Sequence, residues 1–437
     1  MPIARALGVG AAVGAAVVGA ALAVEARVHA VSRGPTPMDR APALAEWQVR
    51  DLDIAFYQAR VARDPQGAID RARLAGLFLQ RARETGSNED LVRAEATARS
   101  SLDNRRARNS AALAVLANAL LGQHRYVEAL DAATELAAAE PDVPSARALL
   151  GEIQLELGRY DEARVTFDGL KGLARNPAIG TRLARWLELQ GRTEAAHALL
   201  VATRDRALQL HELPAEQRAW YRLRVGDIAL RHGRLAEAKH ELDAALAAQP
   251  DDYRVLGLLA RLAAVQRDWR GAVQYGERAL ARTLDPATLG LIGDAYAALG
   301  DSARAEDYFR VMELSVLRQP GPFHRAWSLF LLDHDRRVPE VLAKAREEIT
   351  VRRDIYGWDL LGWALHKSGR DDEAAAAMQH SLALGTEDAM LHYHAGVIAH
   401  ARGRTEDARR ELHTALGINP AWHPTQPDDA RRILEAP

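Results

Sequence analysis

The sequence predicts an all-α protein, a linear array of helical hairpins. Three observations predict this fold. An alanine recurs about every 34 residues, glycine and proline punctuate each period, and the period-two runs of β-branched residues that indicate strands are missing from the sequence. An array of this length occupies most of the 437 residues and leaves no room for a separate globular domain.

The recurring alanines lie in eight short segments that align, from RYVEAL at 125–130 to RTEDAR at 404–409. Their successive spacings are 34, 33, 42, 34, 33, 69 and 34 residues. The spacing of 42 contains an insertion near 204–218, and the spacing of 69 contains a degenerate unit around Val341. A small residue at this position lets two helices approach closely. The matched residues are Ala129, Ala163, Ala196, Ala238, Ala272, Ala305, Ala374 and Ala408.

Each unit is predicted to contain two helices. In most copies the first helix ends in a glycine suited to the left-handed stop of a helix, namely Gly158, Gly191, Gly233, Gly300, Gly369 and Gly403. In several copies the second helix ends before a proline, which cannot continue a helix, namely Pro141, Pro250 and Pro420.

These positions resemble the tetratricopeptide repeat family. In residues 144–177 the resemblance rests on Leu150, Gly151, Gly158, Tyr160, Ala163, Phe167 and Leu170, and related patterns occupy residues 219–252, 286–319 and 389–422. The resemblance implies a right-handed α-solenoid of tetratricopeptide-type helical hairpins. Each hairpin is then expected to bury its apolar face against its sequence neighbours alone, which makes stability nearly one-dimensional.

We expect about nine to ten such repeats within a solenoid at 45–423, with a capping helix at 45–64. Two units depart from the pattern. At 66–107 the segment Thr85–Asp90 is expected to lengthen the turn, and at 320–354 both the glycine and the alanine are lost. Residues 424–437 are predicted to be a short C-terminal tail.

Residues 1–30 form a distinct N-terminal segment. Its uncharged run at 6–24 is typical of a secretory signal peptide or a weakly apolar membrane anchor. Cleavage after Ala23 or Ala30, retention as an anchor and burial as an alanine-rich helix all stay open. Residues 31–44 are a proline-rich linker. We expect a bacterial protein exported to the periplasm or cell envelope.

Composition and motifs exclude several classes of protein. A formal net charge of −2 argues against a nucleic-acid binder with a broad basic face. The absence of cysteine excludes disulfides, thiol catalysis, zinc ribbons and iron–sulfur clusters. Residues 362–368 come nearest to a phosphate-binding loop but lack the glycine before the lysine. We therefore expect no enzyme activity, no catalytic residue and no cofactor.

The resemblance implies that a ligand contacts the concave face, which the first helices of the hairpins line. In the middle units these positions hold Arg185, Asp227, Arg254, Arg261 and Asp294. In the last two units they hold Tyr356, Asp359, Trp363, His366, Tyr393 and His400. The second set mixes aromatic and polar groups, as recognition surfaces do, although Trp363 and Tyr393 could instead pack between units.

We expect a non-enzymatic scaffold that captures a peptide or helix of a protein partner in this groove. Nucleic acid is not expected as a partner, and any membrane association would be through the N-terminus. The alternative is an accessory protein that handles a metal or small molecule through its C-terminal histidines. His366 and His400 occupy equivalent positions on neighbouring first helices, whereas His392 and His394 point to different sides of one helix. No residue is assigned as a metal ligand.

Overall fold

The computed structural model describes residues 44–318 and 325–436. These described residues form 22 α-helices and one short 3₁₀-helix, with no strand among them, which confirms the all-α fold. The predicted signal or anchor and nearly all of the linker lie outside them, so the predicted export stays a prediction. Within the described ranges, no helix combines the length and apolarity needed to cross a bilayer.

Twenty of the described helices pair into ten successive hairpins, preceded by α1 (Glu46–Arg63) and followed by α22 (Gln426–Glu435). The first five hairpins are α2 (Ala68–Thr85) with α3 (Asn88–Asn104), α4 (Ser110–Gly122) with α5 (Tyr126–Ala139), α6 (Pro144–Glu156) with α7 (Tyr160–Asp168), α8 (Pro177–Leu189) with α9 (Thr193–Leu208), and α10 (Ala215–Arg231) with α11 (Leu235–Ala248). The last five are α12 (Tyr253–Val265) with α13 (Trp269–Leu280), α14 (Pro286–Ala298) with α15 (Ser302–Arg318), α16 (Arg325–Asp333) with α17 (Val338–Glu348), α18 (Ile355–Lys367) with α19 (Asp371–Ser381), and α20 (Ala389–Ala401) with α21 (Thr405–Ile418).

Aspartates begin several first helices. The side chains of Asp252, Asp285, Asp354 and Asp388 accept hydrogen bonds from backbone N–H groups in the first turn of α12, α14, α18 and α20. These N–H groups have no partner inside the helix, so a capping carboxylate stabilises it by about 1 kcal/mol. The same carboxylates fix where each first helix starts relative to the preceding hairpin.

Small residues hold the two helices of a hairpin together. The eight aligned alanines are at most 3% exposed. A glycine on the first helix faces a large residue sixteen positions later on the second, and a Cβ at the glycine would crowd that side chain. The pairs are Gly151 with Phe167, Gly226 with Leu242, Gly293 with Phe309, Gly362 with Met378, and Gly396 with Leu412.

Some turns keep the left-handed conformation without glycine. His124 (φ 57°) and Arg267 (φ 61°) lie where other hairpins have the turn glycine. In the hairpin of α16 and α17, Asp335 (φ 53°) and Arg337 (φ 48°) adopt this conformation, and fully buried Val341 takes the place of the aligned alanine. The hairpin fold therefore survives where both signature residues are missing.

The expectation of a lengthened turn at Thr85–Asp90 is wrong. Only Gly86 and Ser87 separate α2 from α3. The Ser87 side chain accepts a hydrogen bond from the backbone N–H of Asp90, so residues 88–90 become the first turn of α3. The extra residues therefore lengthen the two helices rather than the connection.

The array winds so tightly that successive superhelical turns touch. The backbone N–H of Ile355 donates to Tyr160 Oη at 2.8 Å, and Thr283 Oγ1 donates to the carbonyl of Thr85 at 2.8 Å. These partners are 195 and 198 residues apart, which amounts to about six hairpins per superhelical turn.

Apolar packing also joins the two superhelical turns. Leu155 and Trp186 of the first belong to one buried cluster with Ile355 and Leu391 of the second. The expectation that hairpins pack on sequence neighbours alone is therefore wrong, because tight winding brings distant hairpins into contact.

Candidate functional site

A cavity of about 440 Å³ lies inside the superhelix. Helices α8, α10 and α12 line one side, and residues at the starts of α16, α18 and α20 line the other. Most of its lining is charged, comprising Glu156, Arg185, Glu188, Arg224, Asp227, Arg231, Arg261, Arg325, Arg352, Asp354, Glu387 and Asp388. The winding of the array therefore encloses a polar interior.

One side of this cavity, which we call the guanidinium wall, consists of Arg185, Glu188, Arg224, Asp227, Arg231 and Arg261. Arg185, Asp227 and Arg261 each lie six positions before the residue of positive φ at the turn of their hairpin. They are therefore equivalent positions of three successive first helices, which places them side by side.

Ion pairs connect most of the guanidinium wall. Arg185 Nη1 donates to Glu188 Oε2 at 2.8 Å, while Arg231 pairs with Glu188 and, at 3.1 Å, with Asp227. Arg224 Nη1 lies 3.6 Å from Asp227 Oδ2. Burial alone would raise the pKa of Glu188, but Arg231 and Arg185 hold that pKa well below its usual range. Glu188 is therefore a fixed negative centre inside the wall.

An aromatic ring joins the two sides of the cavity. The guanidinium carbons of Arg185 and Arg325 lie 5.3 and 4.8 Å from the ring centroid of Tyr356. Both distances are in the range of cation–π attraction. Because Arg185 belongs to the first superhelical turn and Tyr356 to the second, the ring helps to hold the turns together.

Carboxylates on the side of the cavity opposite the guanidinium wall contact other partners. Arg352 pairs with Asp354 at 2.7 Å and with Glu156 at 3.3 Å. Burial raises the pKa of Glu156 and of Asp354 in spite of Arg352. Asp388 Oδ1 accepts a hydrogen bond from the backbone N–H of Met390 at 2.9 Å.

A second cavity of about 690 Å³ adjoins the first. It shares Glu156, Arg325 and Arg352 with the first cavity and extends to Tyr126 and Val351. Its lining comes from the second, third and eighth hairpins, so it too exists only where two superhelical turns meet.

Family models described as tetratricopeptide repeat match residues 120–185, 224–288 and 360–421. The chain contains tetratricopeptide repeats. No curated protein matches it significantly.

Solved structures that are similar to the chain cover most of its repeats. Human IFIT1, solved as a dimer with PPP-AAAA, is 12% identical, with 86% of this chain and 95% of that chain covered and a TM-score of 0.45. Yeast Tom70 is 11% identical, with 89% and 92% covered and a TM-score of 0.37. A tetratricopeptide repeat protein from Parabacteroides merdae is 16% identical, with 62% and 97% covered and a TM-score of 0.35.

Four of the residues singled out on the first helices of these repeats meet at the cavity, namely Arg185, Asp227, Arg261 and Tyr356. Sequence reasoning missed five of their charged neighbours, namely Glu188, Arg224, Arg231, Arg325 and Arg352. A search for charges elsewhere on the first helices would have found all of these except Arg352. Arg325 and Arg352 join the cavity through the winding of the array, which no local pattern encodes.

Three predicted groove residues lie in the core of the last repeats. Asp359 is fully buried, and Trp363 and Tyr393 are each 5% exposed. Trp363 Nε1 donates to Asp333 at 2.8 Å, and its ring stacks on His394 at 4.1 Å. Packing between repeats therefore covers these three side chains.

The remaining predicted residues lie apart from one another. Arg254 pairs with Glu216 at 2.8 Å and with Asp252. Asp294 contacts His334 at 2.8 Å, and His400 is exposed. None of these three predicted residues lines the cavity.

Three of the C-terminal histidines, His366, His392 and His394, each contact a single carboxylate. His366 contacts Asp371 at 2.6 Å and His392 contacts Glu411 at 2.8 Å. In the described part of the chain, no group of three or more histidine, aspartate or glutamate side chains is arranged to hold a metal ion. The geometry therefore gives the metal-handling alternative no support.

His423 makes stability depend on pH. Its Nδ1 accepts a hydrogen bond from the backbone N–H of Thr425 at 3.3 Å. Burial, followed by the charges of Arg261, His394 and His334, lowers its pKa to about 3. The unfolded chain binds this proton below about pH 6.5 but the folded chain does not, so stability falls as the pH drops from about 6.5 toward about 3.

In urea unfolding, His423→Asn is expected to reduce this loss by up to about 1.4 kcal/mol per pH unit, because the asparagine Oδ1 replaces the acceptor and does not titrate. The control is His413→Gln on an exposed side chain, which is expected to leave the slope unchanged. Equal slopes for wild type and His423→Asn would show that His423 is not the responsible group.

Proposed function

We propose that this chain is a non-catalytic protein–protein interaction scaffold whose partner enters the concave interior of the superhelix with a peptide or helix. The proposal is carried by the cavity of about 440 Å³ between successive superhelical turns. A volume of this size is typical of ligand sites, at roughly 300–1,000 Å³.

The lining of the cavity supports recognition rather than catalysis. Arg185, Arg231 and Arg352 are held by ion pairs to Glu188, Asp227 and Asp354, and Arg185 also stacks on Tyr356, so the donors of these arginines are pre-oriented. Preorganised polar groups lower the cost of ordering side chains on binding. We further propose that the chain works in the cell envelope, on the basis of the uncharged run at 6–24.

Site-specific photo-crosslinking tests the proposal in the native cell. Benzoylphenylalanine in place of Glu387, an exposed residue at the cavity, is expected to capture a partner segment. The matched control carries the same group in place of Val165, which is 67% exposed on the second helix α7.

Support requires a partner peptide, identified by mass spectrometry, that appears with the Glu387 replacement and not with the Val165 replacement. If both positions capture the same proteins, or if the Glu387 position captures none, the interior of the superhelix is not the binding surface and the proposal fails.

A further inference from the structure

The guanidinium wall carries more positive than negative charge. Its four arginines face two carboxylates, Glu188 and Asp227, which leaves an excess of two positive charges. Each carboxylate is already shared, since Arg231 contacts both, Arg185 contacts Glu188 and Arg224 lies near Asp227. The excess therefore has no internal acceptor within the wall.

The excess positive charge of the wall belongs to Arg261 and Arg224. Among the described residues, Arg261 forms no ion pair and no hydrogen bond through its side chain, although it lies at the cavity. Arg224 lies 3.6 Å from Asp227, which is too long for a hydrogen bond. A guanidinium has five N–H donors, so these two side chains present unused donors to the cavity.

Partial burial makes incompletely paired guanidinium groups less favourable, and the side chains of Arg224 (24% exposed) and Arg261 are both half-buried. Burial lowers the pKa of Arg224 and of Arg261, with Asp227 acting in the opposite direction in both cases. A charge removed from water and left unpaired is destabilising unless an opposite charge meets it. An anion between α10 and α12 would satisfy both side chains at once.

The other side of the cavity balances this charge overall, with Glu156, Asp354, Glu387 and Asp388 against Arg325 and Arg352, but none of its carboxylates forms an ion pair with Arg261 or Arg224 among the described residues. Asp354 and Glu156 are paired with Arg352, and Asp388 caps α20 through the backbone N–H of Met390. No ion pair joins any of these carboxylates to Arg261 in the part of the chain that the structure describes. A carboxylate of a ligand can therefore serve as the acceptor that these two arginines lack in the protein.

The size of the cavity limits the form of that ligand. One turn of helix, about 5.4 Å long and about 10–12 Å across, fills roughly 400–600 Å³. The cavity of about 440 Å³ therefore matches one helical turn, or an extended segment of a few residues. An extended segment can direct carboxylates at the wall from successive side chains or from its chain end.

We propose that the guanidinium wall binds carboxylates of a short extended acidic peptide segment of the partner, with Arg261 and Arg224 as the principal donors. This inference rests on the proposed scaffold function and names the chemistry of its ligand. Arginine forks match carboxylates in a bidentate geometry, and such charge-assisted bonds are about twice as strong as neutral ones.

Three fluorescein-labelled peptides test the inference by anisotropy with the purified chain. Hexaglutamate with an amidated C-terminus carries side-chain carboxylates alone, hexaglutamine as the free acid carries a terminal carboxylate alone, and amidated hexaglutamine carries neither. We expect saturable binding of a carboxylate-bearing peptide and none of amidated hexaglutamine. The peptide that binds identifies the source of the carboxylate.

Arg261→Gln is expected to lower the affinity at least tenfold for the peptide that binds, because the substitution removes a charge-assisted donor pair. The matched control, Arg310→Gln on a side chain 65% exposed on α15, is expected to leave affinity unchanged. Arg261→Gln is also expected to keep or raise the urea midpoint, since it removes an unpaired interior charge. A merely structural arginine would lower that midpoint.

The inference is overturned if neither carboxylate-bearing peptide binds at concentrations up to about 1 mM, or if Arg261→Gln binds as wild type does. Crosslinking through Glu387 separates this failure from failure of the scaffold function. A partner captured there together with no acidic-peptide binding would retain the scaffold and discard the carboxylate ligand. Peptide binding without any captured partner would retain the carboxylate ligand and discard the scaffold function.

Discussion

Gly158→Ala is expected to destabilise the chain by roughly 2–5 kcal/mol and to separate two superhelical turns at this point. Gly158 has φ +72°, where a Cβ alone costs about 1–2 kcal/mol. A Cβ there would also overlap the carbonyl group of Arg353 and the backbone nitrogen of Asp354, which belong to the next superhelical turn. Backbone atoms cannot rotate away as a side chain can, so overpacking adds about 1–3 kcal/mol.

Gly369→Ala is the matched control. Gly369 has the same φ of +72° at the same turn position, but a Cβ there meets no described atom within 4 Å. It is expected to show the conformational cost of about 1–2 kcal/mol alone. Urea unfolding compares the two variants, and hydrogen exchange at the backbone N–H of Arg353, which donates to the Leu157 carbonyl at 3.2 Å, reports the separation. Equal losses in the two variants would refute a contribution from contact between the turns.

Asp359→Ala is expected to cost about 3–5 kcal/mol, because it leaves Arg325 and the buried imidazole of His394 without their carboxylate partner. Asp359 is fully buried, accepts a hydrogen bond from Arg325 and contacts His394 Nδ1 at 2.7 Å. The exposed pair of Asp372 and Arg402, at 2.9 Å, gives the control. Asp372→Ala is expected to cost less than about 1 kcal/mol in the same unfolding experiment.

The pH profile distinguishes loss of this charge from loss of packing. Burial alone would raise the pKa of Asp359, but His394 and Arg325 hold it below its usual value. Its contribution is therefore present above about pH 4 and is lost as the pH falls through the lowered pKa. The difference in unfolding free energy between wild type and Asp359→Ala should shrink below about pH 4, whereas a difference that is constant with pH would indicate packing alone.

Periodicity predicted the hairpins well because the contacts inside a hairpin are local. The aligned alanines and turn glycines mark where two helices approach or reverse, and the structure uses them in that way. The turn at Thr85–Asp90 was mispredicted because extra residues can extend either the loop or the helices. Here the Ser87 cap starts the second helix at once, so the extra residues extend the helices. Contacts such as that between Ile355 and Tyr160 have no sequence signal, since they depend on small rotations accumulated over about six hairpins.

In the candidate site, too, the sequence predicted features set by the local repeat pattern and missed features set by the winding of the whole array. Equivalent positions on first helices correctly placed Arg185, Asp227 and Arg261 side by side. Trp363 also lies six positions before its turn glycine, Gly369, but packing between repeats covers it, whereas Tyr393 lies ten positions before Gly403 and is covered in the same way. Arg325 and Arg352 reach the cavity only by belonging to the next superhelical turn.

The contacts between superhelical turns also bear on the order in which the molecule folds. The hydrogen bond between Ile355 and Tyr160 closes a loop of 195 residues, whereas every contact inside a hairpin closes a short one. Such long-range closure carries a larger entropic cost and raises the contact order, so it is expected to come late and slowly. Hairpins at the N-terminal end can form while the chain is still being synthesised, but the cavity exists only after residues 325–422 have folded over them. A ligand of the cavity would therefore bind only the chain that has completed this last step of folding. By mass action it would stabilise that fully folded state.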